Sequence, residues 1–399
     1  MKQRSWLLTL MFASVVAMMP NAVLFPAEAD LAGRLHQSLG FVGWMVTAYA
    51  IAYVCATPVL GMLSDFFGRK VVLVAGLCLF AIGGLVPVFV DNSVLILAGR
   101  AVMGVGSAGI QPMVDSLIGD VYEPGPKRRR AFAFFAGAIA IAEAMMPFLG
   151  GLVAVLWWKA VFVLYSSALL AALLCSRLDV PRRGQHADVE ILTFASYARS
   201  LKVAARMPVL GATVLGAMLF GVVYFGVSAM LPMAFGGAHN SFFNGVLFLP
   251  LGFFWVLGAF AFARVPHVKN LHVLISVALF VLAIATLWLG YAGSFTTIVS
   301  ISALWGVGSA ICTTLFTWVI GDESPDVVRG AMNGIYNAAY VLGFAVGAPL
   351  FIELAHRFGL LRTAEIGAIL MALLVIPLYL TYRQAVKVHA SDPTGAQRA

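Results

Sequence analysis

The chain has 399 residues, of which 62% are hydrophobic and only 11% charged. A soluble domain carries about 25% charged residues, so a water-soluble enzyme or binding module of this length is excluded. The formal net charge of +8 would suit nucleic acid, but the cations collect at the ends of apolar runs, which points to a membrane instead.

Runs of about 20 apolar residues are long enough to cross the hydrocarbon core. Twelve such runs are read at 5–27, 41–63, 71–90, 94–118, 131–154, 158–177, 208–234, 242–263, 271–290, 296–319, 331–354 and 363–383. The first follows Met1-Lys2-Gln3-Arg4 and ends near Ala27-Glu28-Ala29, which imitates a signal peptide and its cleavage site. We read it as a retained helix, because its loss would leave an odd number of spans. Pro20 and Pro26 suit a membrane helix, where kinks are tolerated. A charged, glycine-punctuated turn, Gly61 to Lys70, separates the second and third runs. The polar stretch 178–207 follows the sixth run; within it, Ile191 to Arg206 is partly amphipathic and suits the membrane surface. The tail at 388–399 is polar and expected to be disordered.

With the N-terminus inside, twenty of the 25 Lys and Arg fall on the inner side. Four (Arg34, Lys159, Arg357 and Arg362) fall outside, and Arg100 lies within a run. This bias places both termini in the cytoplasm of a bacterial-type inner membrane. The four cysteines lie in or at the ends of apolar runs with no C-x-x-C pair. They read as small buried residues rather than a disulfide or metal framework.

The chain repeats itself at an offset of 202: Gly104-Val105-Gly106-Ser107-Ala108 returns at 306–310, Ile118-Gly119-Asp120 at 320–322, and Pro147 as Pro349. The expected fold is therefore an all-α polytopic membrane protein of twelve transmembrane helices in two pseudo-symmetric six-helix bundles, 1–177 and 208–387, joined by the cytoplasmic linker 178–207.

The turn Gly61-Met62-Leu63-Ser64-Asp65-Phe66-Phe67-Gly68-Arg69-Lys70 resembles the signature loop of the major facilitator superfamily. Pro26, Asp30, Gly43 to Tyr49 and Pro58 are similar to the first two helices of its drug/proton antiporter branch. Arg100-x-x-x-Gly104-x-Gly106 is similar to that branch's arginine motif, and Met146-Pro147-Phe148-Leu149-Gly150-Gly151 to its antiporter motif. The last departs from the pattern: Met146 and Ala142 replace glycines. The second-half copy of the signature turn, Arg264 to Asn270, lacks an Asp. The resemblance implies a gate built from Gly61, Asp65, Gly68, Arg69 and Asp120, with Asp65 facing the N-terminus of the eleventh helix and Arg69 bridging to Asp120.

Ionisable residues inside spans are costly and tend to face the bundle interior. Arg100 is either a static ion-pair partner, a ligand for an anionic substrate, or a modulator of a proton-carrying acid. Glu143, one turn before Pro147, is the leading candidate for proton coupling. Asp115 either lines an inner vestibule or pairs with the Arg128 to Arg130 cluster. Glu28 and Asp30 end the first helix, and Asp30 is an outer proton site or a helix-end residue. Substrate contacts are expected from Arg100, Asn21, Tyr224, Asn244, Trp255 and Trp305. Asn333, Tyr336, Asn337 and Tyr340 join them, since their i, i+3, i+4, i+7 spacing forms one helix face.

No G-x-x-x-x-G-K-[ST], H-E-x-x-H, C-x-x-C or G-x-S-x-G occurs. No catalytic centre, metal or cofactor is expected. The expectation is a monomeric secondary transporter whose partners are a small-molecule substrate, protons and membrane lipids, not nucleic acid, and which exports amphipathic compounds against protons. A dedicated carrier of one metabolite, in either direction and with an anionic substrate favoured by Arg100, is the alternative. A non-transporting receptor would need an output domain larger than the linker and tail provide.

Overall fold

A computed structural model describes residues 2–122, 126–178, 202, 206–234, 241–262, 270–325 and 329–391. Most of the expected linker, residues 264–269 of the second-half counterpart of the signature turn and residues 392–399 of the tail lie outside the described residues.

The described regular structure is helical. Helix α1 spans Lys2–Ala17. It is followed by the short α2, Met19–Ala22, a 3₁₀ turn at Phe25–Ala27, and α3, Glu28–Arg34. Pro20 and Pro26 sit in the opening positions of their segments, where the missing N–H has no partner to lose. The axis bends by 40° between Ser5–Ala17 and Met19–Ala27. Helix α4, Leu39–Phe67, starts on Ser38, whose Oγ accepts the Phe41 N–H at 3.3 Å. It ends at Gly68, where φ is 91°, a region that glycine enters without strain. Helix α5, Arg69–Phe89, begins at the next residue.

The fourth expected helix is broken. Helix α6, Ser93–Ala108, stops at Gly109, and α7, Gln111–Val121, restarts with a proline in its first turn. Then come α8, Pro126–Leu156, the short α9, Ala160–Val163, a 3₁₀ turn at Leu164–Ser166 and α10, Ser167–Ser176. Beyond the linker lie α11, Pro208–Ala234, α12, Ser241–Phe262, α13, Leu271–Leu289, α14, Phe295–Glu323, and α15, Arg329–Ser391. The last is two helices across a kink at Gly359, where φ is 82°. Helix α15 carries the chain four residues into the expected disordered tail. The 202-residue offset extends to local structure: α6 is capped by Asn92, which accepts the Val94 and Leu95 N–H groups, and α14 by Ser294, which accepts the Thr297 N–H.

Among the described residues nine helices are long and apolar enough to cross a membrane, or ten if the bent first pair is one span. One of the nine, Met332–Gln384, contains the Gly359 kink, and Ala160–Ser176 is a shorter apolar helix. The protein is an all-α polytopic membrane protein.

By internal contacts the chain forms two compact units, Met1–Phe194 with Gly236–Gly252, and Ala195–Phe235 with Phe253–Ala399. The first three turns of α12 thus belong with the first unit, a division the sequence repeat does not anticipate. Within each unit, glycines let helices touch backbone to backbone. A Cβ at Gly83 would lie 2.4 Å from the Gly99 oxygen, bringing α5 onto α6, and one at Gly104 would lie 2.2 Å from the Tyr49 oxygen, bringing α4 onto α6. In the second unit, Cβ atoms at Gly343 and Gly347 of α15 would each lie 2.1 Å from an α11 carbonyl oxygen, that of Met218 or Val222. Lipid removes the hydrophobic drive for helix association, so close approach of small residues supplies it.

Candidate functional site

The signature turn ties two helix ends together. Because Gly68 closes α4 in one residue, Arg69 is the first residue of α5. Its Nη1 lies 2.5 Å from Asp120 Oδ2 and donates to the Ser116 carbonyl at 3.0 Å. Asp120 sits at the C-terminal end of α7, where the helix dipole disfavours an anion, and the Arg69 cation offsets both. Lys70 donates to the Leu178 carbonyl at 2.7 Å, just beyond α10. Two adjacent cations therefore bind the C-terminal half of α7 and the chain just past α10. Ser64 Oγ donates to the Gly61 carbonyl at 2.7 Å in the turn before. Asp65 lies in the last turn of α4, and its side chain is outside the described residues.

Arg100 is 1% exposed. Its Nη1 donates to the Pro20 carbonyl at 2.9 Å, Nη2 to Asn21 Oδ1 at 2.6 Å and Nε to the Met45 carbonyl at 3.2 Å. Its guanidinium also lies 5.3 Å from the centre of the Tyr49 ring. Tyr49 OH donates to Ser107 Oγ at 2.7 Å, and Tyr165 OH to the same Pro20 carbonyl at 3.0 Å. The guanidinium is thus held by neutral dipoles and an aromatic face, and it joins α2, α4 and α6 at the bend of the first span. Asn21 is 8% exposed and is taken up in this network. The structure places both inside the first unit rather than on an open surface.

Glu143 is placed differently. Its side chain is exposed. At about 100° per residue, it stands near Gly150 on α8, whose Cβ would lie 2.3 Å from the Val23 oxygen. Beside it on the wheel, Gly151 and Ala144 meet the Ser241 oxygen and Gly252 of α12. The exposed apolar side chains of α8, Ile141, Met145 and Leu152, lie roughly opposite on the wheel. Glu143 therefore stands on the face of α8 opposite its exposed apolar side chains. Asp115, on α7, is half-buried, and neither acid pairs with a cation among the described residues. Asp30 is exposed and accepts a hydrogen bond from Ser241. Asn244 Nδ2 donates to the Pro26 carbonyl at 3.2 Å.

In the second unit, Trp305 lies 5.5 Å from Tyr224 and 6.5 Å from Phe220, and Tyr340 stacks on Phe220 at 6.2 Å. Trp305 is 1% exposed, and its buried Nε1 has no partner. Trp255 is half-buried. The expected polar stripe on α15 divides. Tyr336 is buried and accepts from Thr317 at 3.4 Å, whereas Asn333 and Asn337 are exposed, with Asn337 Nδ2 donating to the Asn333 carbonyl at 3.0 Å. Four residues on one face span about 100° of arc, enough to straddle a packed and an open side.

Sequence reasoning passed over Tyr49, Tyr165, Ser107, Phe220, Lys70 and Ser241. Lys70 lies in the charged turn, Tyr49 in the stretch that resembles the antiporter branch and Ser107 in the repeat, but nothing local gives Tyr165, Phe220 or Ser241 their roles, which come from tertiary contact.

The model of the Major Facilitator Superfamily matches residues 10–337. The methylenomycin A resistance protein of Bacillus subtilis (strain 168) is 24% identical over 401 residues, 86% of each chain. Multidrug resistance protein 1 of the same organism is 27% identical over 176 residues, 44% of this chain and 45% of that protein, so the chain spans under half of that relative's length. Among solved structures, a D-xylose-proton symporter superposes with TM-score 0.76 at 16% identity, covering 95% of this chain and 97% of that one. The human organic anion transporter MFSD10 (TETRAN) superposes with TM-score 0.72 at 17% identity, covering 95% and 100%. Likenesses at such identities establish the fold, and the family model covers most of the chain: the protein belongs to the Major Facilitator Superfamily.

Proposed function

We propose that this secondary transporter exports small amphipathic compounds in exchange for protons, by alternating access between two six-helix halves in a bacterial-type inner membrane. Glu143 is the observation that carries the reading. It is an acid inside a membrane span, exposed on the face opposite the exposed apolar side chains of α8, with no cation upon it among the described residues. An acid so placed can take up and release a proton as its surroundings change. Resemblance to proteins named for drug resistance favours export of drug-like molecules. Twelve spans follow if the bent first pair and Ala160–Ser176 each cross once and Met332–Gln384 crosses twice about Gly359. The bias of Lys and Arg then sets both termini in the cytoplasm. The metabolite-carrier reading with an anionic substrate leaned on Arg100, whose donors are taken by Pro20, Asn21 and Met45.

The test is purified protein in proteoliposomes carrying a lumenal pH dye, challenged with a panel of amphipathic dyes. Substrate-dependent proton movement is expected, and its absence across the panel while dye still moves would remove proton coupling.

The Arg69–Asp120 pair serves in this reading as a conformational latch with Asp65, Gly61 and Gly68. Asp120 is 34% exposed in its side chain, so Asp120→Asn should lower stability by no more than about 1 kcal/mol. Transport, by contrast, should fall several-fold with the apparent melting temperature near the parent's. Parent-level transport by Asp120→Asn would make the pair a surface contact only.

A further inference from the structure

At the end of the first unit opposite the signature turn, the chain from Val23 to Asp30 is gripped on two sides. Gly150 of α8 touches the Val23 carbonyl. The first turns of α12 hold the other side. Ser241 donates to the Asp30 carboxylate, Asn244 to the Pro26 carbonyl, and Phe248 stacks on Phe25 with ring centres 6.3 Å apart. These three residues follow i, i+3, i+7 spacing, one face of α12. Helix α12 is itself fastened to α8, since a Cβ at Gly151 would lie 2.2 Å from the Ser241 oxygen and one at Gly252 2.4 Å from Ala144 Cα.

Glu28 lies in the middle of this gripped segment, just past the bent first span. It is 6% exposed, and its Oε1 is enclosed without a hydrogen-bond partner. Among the described residues no cation pairs with it. Helix α4 has no charged residue from Leu39 to Ser64, and its Tyr49 is hydrogen-bonded to Ser107. Helix α8 has none from Ala144 to Leu156 and carries Glu143 two turns inward of Gly150, while α12 has none from Ser241 to Phe262. On α3 itself, Asp30 holds Ser241 and Arg34 is exposed. Burial alone pushes the Glu28 carboxyl from its ordinary 4.5 up to about 8.

We propose that Glu28 is a second proton-binding site, distinct from Glu143, and that its neutral form holds the first three turns of α12 against the Phe25–Asp30 segment. An ionised carboxylate cannot remain in an enclosure without donors. Its charge draws water between the segment and its cover, which loosens the bonds from Ser241 and Asn244. The assignment extends the transport reading by giving the far end of the first unit its own response to protons, but its titration does not depend on transport.

The sign follows from linkage. The docked acid holds its proton to higher pH than the released one, so docking takes up a proton between the two values. The grip is full below the ordinary 4.5, weakens as pH rises towards about 8 and is constant above that. Hydrogen exchange of the 241–252 amides, corrected for intrinsic rate and followed from about pH 5 to about pH 9, reads this directly. Protection in the parent should fall by up to about tenfold per pH unit across that window. In Glu28→Gln, permanently neutral, protection should stay high and flat. In Asp30→Asn, which leaves Glu28 in place, the slope should persist. A flat parent profile overturns the proposal even if Glu28→Gln fails to fold. So does an unchanged slope in Glu28→Gln, or a slope lost in Asp30→Asn. None of these readouts involves substrate or proton flux, so failure here leaves the transport reading standing, and failure of proton coupling leaves this one.

Discussion

Arg100→Ala should destabilise the protein by about 3–5 kcal/mol, the upper end for one substitution, and should weaken neutral and anionic ligands alike. The guanidinium spreads its donors over the Pro20 carbonyl, Asn21 and the Met45 carbonyl. Hydrogen bonds from a charged donor contribute about 1.5–3 kcal/mol each, and their loss is not additive. Tyr165 still serves the Pro20 oxygen in the variant, but Asn21 Oδ1 loses the donor the structure gives it, and the space of a large buried side chain is left empty. Arg100→Lys should recover only part of the loss. One ammonium cannot reproduce a planar fork aimed at three acceptors on two chain segments. Arg100→Met keeps the length without the donors and should behave like the alanine variant. The check is the apparent melting temperature of purified protein, with the recovered monodisperse fraction beside it. A variant as stable as the parent that lost only anionic ligands would return Arg100 to the substrate site.

That contrast shows what the amino-acid order discloses and what it withholds. The turn at Gly61 to Lys70 was legible because its chemistry is local: a glycine at φ 91° is required where α4 ends and α5 begins within one residue. The offset of 202 matches Asp120 with Asp322 along the sequence, and Arg69 lies on Asp120. Helix positions were legible from apolar runs; the second was read at 41–63, and α4 covers Leu39–Phe67. The break at Gly109–Ile110 was not legible. Both residues are apolar and the hydrophobic run passes through them, so only the following Pro112 carries a trace of it. Nor could the order of residues tell an arginine turned into the bundle from one lining a cavity. Both are cations in an apolar run, and the difference lies in the Pro20 carbonyl, freed at a bend eighty residues away. The α15 stripe divided for a similar reason: periodicity assigns a face, while the neighbour that covers Tyr336 and leaves Asn337 open is tertiary.

Glu143→Gln should abolish accumulation driven by a pH gradient while leaving substrate binding and substrate exchange close to the parent. The amide has nearly the shape and polarity of the protonated acid but gives up no proton, so any step that requires release of that proton stops. Binding to the protonated form and exchange of one substrate for another do not require release. The side chain is exposed, so an amide is accommodated and little stability is at stake. Glu143→Asp keeps the acid one methylene shorter and should retain measurable pH-driven accumulation. This ordering, parent above aspartate above glutamine, separates a titrating role from a merely polar one, which glutamine would satisfy better than aspartate. In proteoliposomes with an imposed pH gradient, glutamine accumulating as the parent does would remove Glu143 from coupling and leave Asp115, the half-buried acid of α7, to be tested in its place. Loss of binding along with accumulation would instead make Glu143 a substrate contact. The two functions divide here because only one of them needs the carboxyl to lose its proton.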